Sequence, residues 1–303
     1  MDYTPEIAVI LVNWNGYSFT KACLASLEQV ETPKFHVILV DNASVTPEGL
    51  SLKKEFPHVH LIETTENLGF AGGNNVGLRY AIEQGFEQFL LLNNDTTVAP
   101  DFLQEMQAVL VQHPGCGAVQ PLILFLHDRT KIWSAGGKWN SFLGYAKTLG
   151  DRAPISTFKP DSSDLDWVTG CCMLLSKEAI TASGLLDEQY FAYFEDVEWS
   201  MRIRNAGYSL KLAPKAVIYH EAGAASKKKH AEGTLSASVF YYHVRNQFYL
   251  LRQLHLFLAI PFQGLRFLGW AAYFLVRGRR AKLTAVAKGV KEGLFKPLNP
   301  QIK

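Results

Sequence analysis

Acidic residues are almost missing from one end of this 303-residue chain: positions 246–303 hold ten Lys/Arg and a single acid, Glu292. The other 245 residues carry 20 basic and 27 acidic side chains, so the overall +2 hides a body of about −7 and a tail of about +9. An anionic partner for the tail is implied, and membrane or nucleic acid are the candidates. Cysteine is also scarce. Cys23, Cys116, Cys171 and Cys172 form no CxxC pair, and the adjacent Cys171 and Cys172 suit neither a relaxed disulfide nor a shared zinc site. They read as reduced thiols of a cytoplasmic protein. The opening "MDYTPEIAVILV" lacks a basic n-region and reads as a buried first strand, not a signal peptide. Neither GxGxxG nor GxxxxGK[ST] occurs, which removes support from dinucleotide-binding and P-loop readings. A clean spanning segment is missing too. The 21-residue run "LFLAIPFQGLRFLGWAAYFLV" contains Arg266, Gln263, Pro261 and two glycines, and a central Arg costs roughly 2.5–3.5 kcal/mol on insertion scales.

What is present is a core-forming composition, 48% hydrophobic and 19% charged, which excludes a disordered chain. The first hundred residues alternate strand and helix patterns. "IAVILVNWN", "FHVILVDNAS", "VHLIETTEN" and "FEQFLLLNND" are apolar runs separated by the helical patterns "SFTKACLASLEQV", "GLSLKKEFP" and "GGNNVGLRYAIEQG". Runs apolar on both faces and joined by helices predict a Rossmann-like, mostly parallel α/β sheet with helices on both faces. A helix "DFLQEMQAVLVQHPG", a strand "GAVQPLILF", a polar ribbon or loop region at about 127–166 and a strand "DWVTGCCMLLS" follow. Ser176 is placed to cap "KEAITASG", closed by Gly184. An aromatic-acidic loop, "LLDEQYFAYFED", leads into a helix, and a last strand ends in His220. "SKKKH" reads as a flexible loop. The tail is basic and amphipathic. Interfacial helices on an anionic leaflet are favoured over a spanning or a buried pair.

Ligands in such sheets bind beyond the carboxyl ends of the strands. Four successive strands here end in Asn or Asp: Asn13, Asp41-Asn42, Asn67 and Asn93-Asn94-Asp95. One such end is a turn signal; four on one edge suggest a site. Asp95 suits Mg²⁺ or Mn²⁺ on a nucleoside diphosphate, which needs one or two carboxylates beside the phosphate oxygens; an Asx-turn explains the triplet equally. Asp41 could accept from a base or ribose, or end a turn. Gly72 and Gly73 lie in a Gly-rich stretch entering a helix, where backbone can approach phosphate. Glu195-Asp196 precede a helix, so Asp196 is either an N-cap or a general base. Tyr190, Phe191, Tyr193 and Phe194 would wall a sugar site. His220 is either structural or a third metal vertex.

These pieces occur in a familiar order. "VILVNWNG", "VDNAS", "ENLGFAGGNNVG", "LLLNND", "WVTGCCMLLSKEAI", "GLLDEQYFAYFEDVEWSMRIRNAGY" and "VIYHEAG" together resemble family 2 glycosyltransferases of the GT-A fold, in particular the rhamnosyltransferase-like branch of bacterial surface polysaccharide synthesis. The match covers about residues 6–225. The resemblance implies an inverting, metal-dependent transferase using a nucleotide-sugar, with dTDP-rhamnose the best guess, and a saccharide or lipid-linked saccharide acceptor. It implies that Asp95 holds Mg²⁺ or Mn²⁺ although the family's first carboxylate is here Asn93. Asp196 is then the base, His220 a metal ligand, and Asn13, Asp41, Asn67, Gly72, Gly73 and Asn94 line the donor pocket. Glu195, Trp199, Tyr193 and Arg245 of "YYHVRNQF" fall on the acceptor side. The expected division is a transferase domain, 1–245, and a membrane-associating helical region, 246–303, peripheral on the inner face of the cytoplasmic membrane. A nucleotidyltransferase is a weaker reading, because "VNWNGYSFTKACL" offers only Lys21 to a phosphate loop. A catalytically silent, membrane-docked scaffold would not need Asp95, Asp196 and His220 together. A nucleic-acid binder would not confine its basic excess to an apolar tail.

Overall fold

The computed structural model describes residues 6–160, 164–221 and 235–298. The basic run Ser226–His230, expected to be a loop, lies outside them, as do Ala222 and Gly223 of the "VIYHEAG" segment. Strands β1 (Ile7–Asn13), β2 (Phe35–Asp41), β3 (His60–Glu63) and β4 (Gln88–Asn93) alternate with helices α1 (Tyr17–Leu27), α2 (Glu48–Glu55) and α3 (Gly69–Glu83), and the four strands pair in parallel in the order β3-β2-β1-β4. The reason lies in the alternation of their side chains. Ile7, Val9 and Leu11 pack with Leu24 and Leu27 of α1 on one face, while Ala8 and Ile10 meet Leu78 of α3 on the other. Both faces are therefore dry, and each fully buried Leu or Ile contributes about 1.5–3 kcal/mol.

Beyond β4 the sheet becomes mixed. In chain order follow β5 (Thr96–Val98), α4 (Phe102–Gln112), β6 (Cys116–Phe125), β7 (Ile132–Ser134), β8 (Gly137–Asn140), β9 (Tyr145–Thr148), β10 (Cys172–Ser176), α5 (Lys177–Ser183), α6 (Glu195–Asn205) and β11 (Ser209–His220). Strand β10 lies antiparallel between β4 and β6, β11 runs parallel to β6, and β5 closes the edge antiparallel to β11. The polar region at about 127–166 supplies β7, which joins β6, and the β8–β9 hairpin. Ser176 caps α5 as its sequence suggested, accepting from the N–H of Ala179 at 3.2 Å, and Gly184 ends that helix at φ 73°.

Three helices complete the chain: α7 (Ala237–Gln253), α8 (Ile260–Val276) and α9 (Arg280–Phe295). They share a small core of Val244, Phe248, Phe267, Phe274 and Val286. Gly289 and Gly293 let α9 lie directly on α7, since a Cβ at Gly293 would stand 2.6 Å from the Arg245 carbonyl. Helix α7 runs unbroken through residues 245 and 246, with both side chains buried. Among the described residues, no helix is long and apolar enough to cross a membrane.

Candidate active site

The polar ends of β1, β2, β4 and β11 meet at the carboxyl edge of the parallel strands. The register of one short strand assembles the first pair. Strand β5 aligns Thr96 with His220, and the Glu221 N–H donates to the Asp95 carbonyl at 3.0 Å. This locks Asp95 and His220, 125 residues apart, with Asp95 Oδ1 3.1 Å from His220 Nε2. The His220 ring stands edge-on to Trp133, 4.4 Å between centroids, and its Nδ1 is buried without a partner among the described residues. A carboxylate beside an imidazole is a donor set that suits Mn²⁺ or Mg²⁺. Among the described residues no cluster of three or more His, Cys, Asp or Glu could hold a metal. A cation here would therefore take its remaining oxygens from substrate and water.

The second functional group arrives through β10. The N–H of Asn93 donates to the Cys171 carbonyl at 2.8 Å, so the end of β4 abuts the Gly170-Cys171 turn. Asp196 accepts from the Gly170 N–H at 3.1 Å and from the Val197 N–H at 2.8 Å. Burial, and then the charges of Asp95 and Asp196 among its neighbours, push the Cys171 thiol well up. Burial also raises Asp196, against the opposing Gly170, Val197 and Thr169 hydrogen bonds. Glu195, 6% exposed and with Oε2 unpartnered among the described residues, is raised well above the usual range by burial and by Asp196. Of the two neighbours, Asp196 holds the hydrogen bonds that favour ionisation, so Glu195 keeps its proton longer. Asp196 is not the N-cap of α6. Phe194 takes that place in a left-handed conformation, φ 71°, leaving Asp196 as the second helical residue.

The loop before it is strained. Phe191, Tyr193 and Phe194 all have positive φ, 64°, 71° and 71°, at a cost of about 1–3 kcal/mol each. Two sides hold it there. From α3, the N–H groups of Phe70 and Ala71 donate to the Phe191 carbonyl at 2.6 and 3.3 Å. From α7, Asn246 Nδ2 donates to the carbonyls of Tyr190, Ala192 and Tyr193 at 3.0, 2.8 and 2.7 Å, and Arg245 donates to Gln189 and Tyr190 at 2.6 and 2.8 Å. Phe191 stacks on Tyr242 and Tyr193 on His243. Burial and the nearby Arg266 charge lower His243 to about 4, so that stack is neutral at pH 7.

Four sequence expectations are corrected by these contacts. Arg245 does not face acceptor or diphosphate; its buried guanidinium holds loop carbonyls. Trp199 is fully buried and donates its indole N–H to the Gly184 carbonyl at 2.8 Å, so it belongs to the core. The amino end of α3 is not an open phosphate cradle, because the Phe191 carbonyl already occupies it. Gly72 and Gly73 serve packing instead: a Cβ at Gly73 would meet Val12 at 2.9 Å and one at Gly72 would meet Leu68 at 2.7 Å.

The residues expected on the donor side form one hydrogen-bonded frame. Glu48, which the sequence reading missed, accepts from Asn13 Nδ2 at 3.0 Å and from the N–H groups of Gly16 and Tyr17 at 2.8 and 3.0 Å, placing a carboxylate at the positive end of α1. Thr20 donates to Asn13 Oδ1 at 2.6 Å and accepts from Asn94 Nδ2 at 2.8 Å, which orients Asn94 beside Asp95. Asp41 is buried, and both oxygens accept backbone N–H groups, from Ser44 at 3.0 Å and Gly49 at 2.6 Å. Asn67 accepts from Asn42 Nδ2 at 3.1 Å and the Gly69 N–H at 2.8 Å. Asn13, Asp41 and Asn67 therefore shape the loops at this sheet edge, where Asn94, Asp95 and His220 also lie. Sequence signals for Glu48 and Asn246 were slight: one acid in a helical first turn and one amide inside a helix.

Comparisons with known proteins give the family and the fold. The model of the family described as "Glycosyltransferase like family 2" matches residues 5–236. The chain is 24% identical over 271 residues to an N-acetylglucosaminyl-diphospho-decaprenol L-rhamnosyltransferase of Mycobacterium tuberculosis, covering 83% of this chain and 86% of that one. It is 26% identical over 256 residues to the dTDP-rhamnosyl transferase RfbF of Shigella flexneri, covering 82% and 81%. Among solved structures, the mannosyltransferase PcManGT of Pyrobaculum calidifontis, in complex with GDP-Man and Mn²⁺, superposes with a TM-score of 0.60 at 16% identity, over 97% of this chain and 88% of that one. TarS 1–349 of S. aureus with UDP-GlcNAc gives 0.58 at 17% identity, over 95% and 81%. The fold is that of the GT-A glycosyltransferases. With the ordered motifs, the strand-end site and a family match over residues 5–236, the chain belongs to the glycosyltransferase-like family 2.

Proposed function

We propose that the chain is an inverting rhamnosyltransferase that moves rhamnose from dTDP-rhamnose to a lipid-linked saccharide at the inner face of the cytoplasmic membrane, in surface polysaccharide synthesis. The observation that carries this reading is the Asp95–His220 contact at one sheet edge, with Asp196 tied to the Gly170-Cys171 turn that abuts the end of β4. The donor choice is supported by two rhamnosyltransferases by name among the relatives that span most of the chain. Asp95 and His220 would hold Mg²⁺ or Mn²⁺, which supplies neutralisation of a leaving diphosphate. Asn94 stands beside them, held by Thr20. Asp196 takes the proton of the acceptor hydroxyl as that oxygen attacks the anomeric carbon. The new C–O bond forms opposite the bond to the diphosphate, so one displacement inverts the configuration. Tyr193 and Phe194 wall the acceptor side, and protonated Glu195 adds no second charge next to the base. In this reading residues 1–245 carry the transfer and 246–303 the membrane association.

The test is incubation of the full chain with dTDP-rhamnose, Mn²⁺ and a lipid-linked saccharide, followed by NMR of the product. A rhamnoside of inverted anomeric configuration is expected, and Asp196→Asn should abolish it while sparing dTDP binding. Retained configuration, or full activity of Asp196→Asn, contradicts the mechanism. A silent scaffold predicts no turnover with any nucleotide-sugar.

A further inference from the structure

Helix α8 is apolar on two opposite faces, and only one of them is used. Phe267 and Phe274 point into the core shared with α7 and α9, and Gln263 is buried beside them. On the other side Leu258, just before the helix, and Phe262, Leu265, Leu268, Leu275 and Val276 are all between 43% and 84% exposed. Phe262, Leu265 and Leu268 are three residues apart, and Leu275 and Val276 follow about two turns later, which puts the helical members on one face. The single charge inside α8 does not interrupt it. Arg266 lies over the rings of Tyr145, Phe267 and Trp270 at 5.7, 5.5 and 5.3 Å and donates to Gln263 Oε1 at 3.3 Å. The β8–β9 hairpin extends the stripe. Phe142 at its tip is 67% exposed and lies 5.3 Å from the Phe262 ring, while Gln263 Nε2 donates to the Leu143 carbonyl at 2.7 Å. At its carboxyl end the stripe runs directly into Arg277, Arg279 and Arg280.

We infer that this face of α8, with the tip of the β8–β9 hairpin, is the surface that seats the protein in an anionic phospholipid leaflet, α8 lying in the plane of the interface. The helix has 17 residues, about 25 Å at 1.5 Å per residue, which is shorter than a hydrocarbon core of about 30 Å. A bare apolar stripe ending in arginines instead matches a helix half-sunk at the headgroup boundary. Charge decides between the lipid and a second copy of the chain. A symmetric α8–α8 contact would place two such basic ends, each part of a tail of about +9, in one assembly, whereas an anionic leaflet neutralises them. The inference rests on the proposed transfer only in that a lipid-linked acceptor gives the membrane a purpose. It also makes the docking helices part of the catalytic frame, because α8 and α9 pack on the same α7 whose Asn246 holds the loop before Asp196.

The experiment compares the full chain with Leu265→Glu/Leu268→Glu and with Arg277→Ser/Arg280→Ser. Each is sedimented with phosphatidylcholine vesicles, with and without phosphatidylglycerol, while dTDP binding is followed by calorimetry. The wild type is expected to sediment with the phosphatidylglycerol vesicles and less so as salt is added. The double glutamate is expected to lose about tenfold or more of that partitioning. The double serine should lose about fivefold per charge, since each basic residue contributes about 1 kcal/mol. dTDP binding should be equal in all three. Failure of the wild type to sediment, or sedimentation of the double glutamate at the wild-type level, overturns the inference. So does a wild-type dimer that the double glutamate dissolves. Vesicle binding without dTDP binding refutes the transfer reading and leaves the docking face standing.

Discussion

Asn246 stands on α7, inside the region where the sequence suggested only a tail, yet its amide nitrogen reaches three carbonyls of the loop that delivers Asp196. Asn246→Ala removes all three contacts. The amide has two hydrogens, so about two bonds' worth of stabilisation is lost; with net values near 1 kcal/mol and more for carbonyls left buried, the gross cost is about 2–4 kcal/mol. About 1 kcal/mol returns if one of the left-handed residues Phe191, Tyr193 and Phe194 relaxes, the low end of the strain per residue. The loop is then expected to relax while the sheet stays folded, with a net loss of about 1–3 kcal/mol and a fall in Tm of a few degrees. The catalytic effect should be larger. A misplacement of about 1 Å costs about 10²-fold, and Asp196 lies two residues beyond the last left-handed residue. The assay is steady-state transfer beside calorimetric dTDP binding. A kcat lower by about 10²-fold with donor binding held within about threefold is expected, because Asp95 and His220 sit in the β4–β5 turn and on β11 and not on this loop. Unchanged kcat in a folded variant would refute the positioning role. Loss of donor binding in step with kcat would point to general damage.

Other perturbations follow from the same contacts. Because burial raises Asp196, its protonation on acidification sets in above the ordinary range, and the acid limb of kcat/KM should lie higher than an exposed aspartate near 3.9 would give; a limb at or below that value removes Asp196 as the base. Glu195 has a folded pKa raised above its unfolded value, so its contribution to stability is present at low pH and lost as pH rises through the folded pKa. Glu195→Gln, which mimics the protonated acid, should therefore raise Tm more at pH 8 than at pH 5; the opposite trend in thermal melts contradicts the burial argument. His220→Ala is expected to weaken Mn²⁺-dependent dTDP binding by about tenfold or more while leaving metal-free binding alone; equal loss in both conditions would make His220 merely structural.

Much of this was legible in the chain. The runs around Val9, Ile38 and Leu91 were plain as strands because parallel strands dry on both faces leave long apolar stretches. Ser176 and Gly184 marked α5 because capping is a local interaction. Asp95 and Asp196 were visible as carboxylates at element ends. The contact between Asp95 and His220 was not, since it depends on β5, three residues whose pairing with β11 is set by tertiary register alone. Glu48 was invisible for the same reason: its partners Asn13, Gly16 and Tyr17 belong to a different βα unit. Arg245 and Trp199 were misread because polarity and proximity to a motif do not say which way a side chain turns. Both turn inward, Arg245 to strained carbonyls and Trp199 to the Gly184 carbonyl. Gly72 and Gly73 have the composition of a phosphate loop, but the Phe191 carbonyl reaches the helix end from about 120 residues away, beyond any local pattern.

The most direct measurement is calorimetric titration of dTDP, with and without Mn²⁺, into the wild type and Asp95→Ala. If Asp95 and His220 hold a cation against a nucleoside diphosphate, the wild type binds dTDP tightly only with Mn²⁺, and Asp95→Ala reduces both conditions to the same weak level. Metal-dependent binding that survives in Asp95→Ala, or wild-type binding indifferent to Mn²⁺, would contradict the account of this sheet edge.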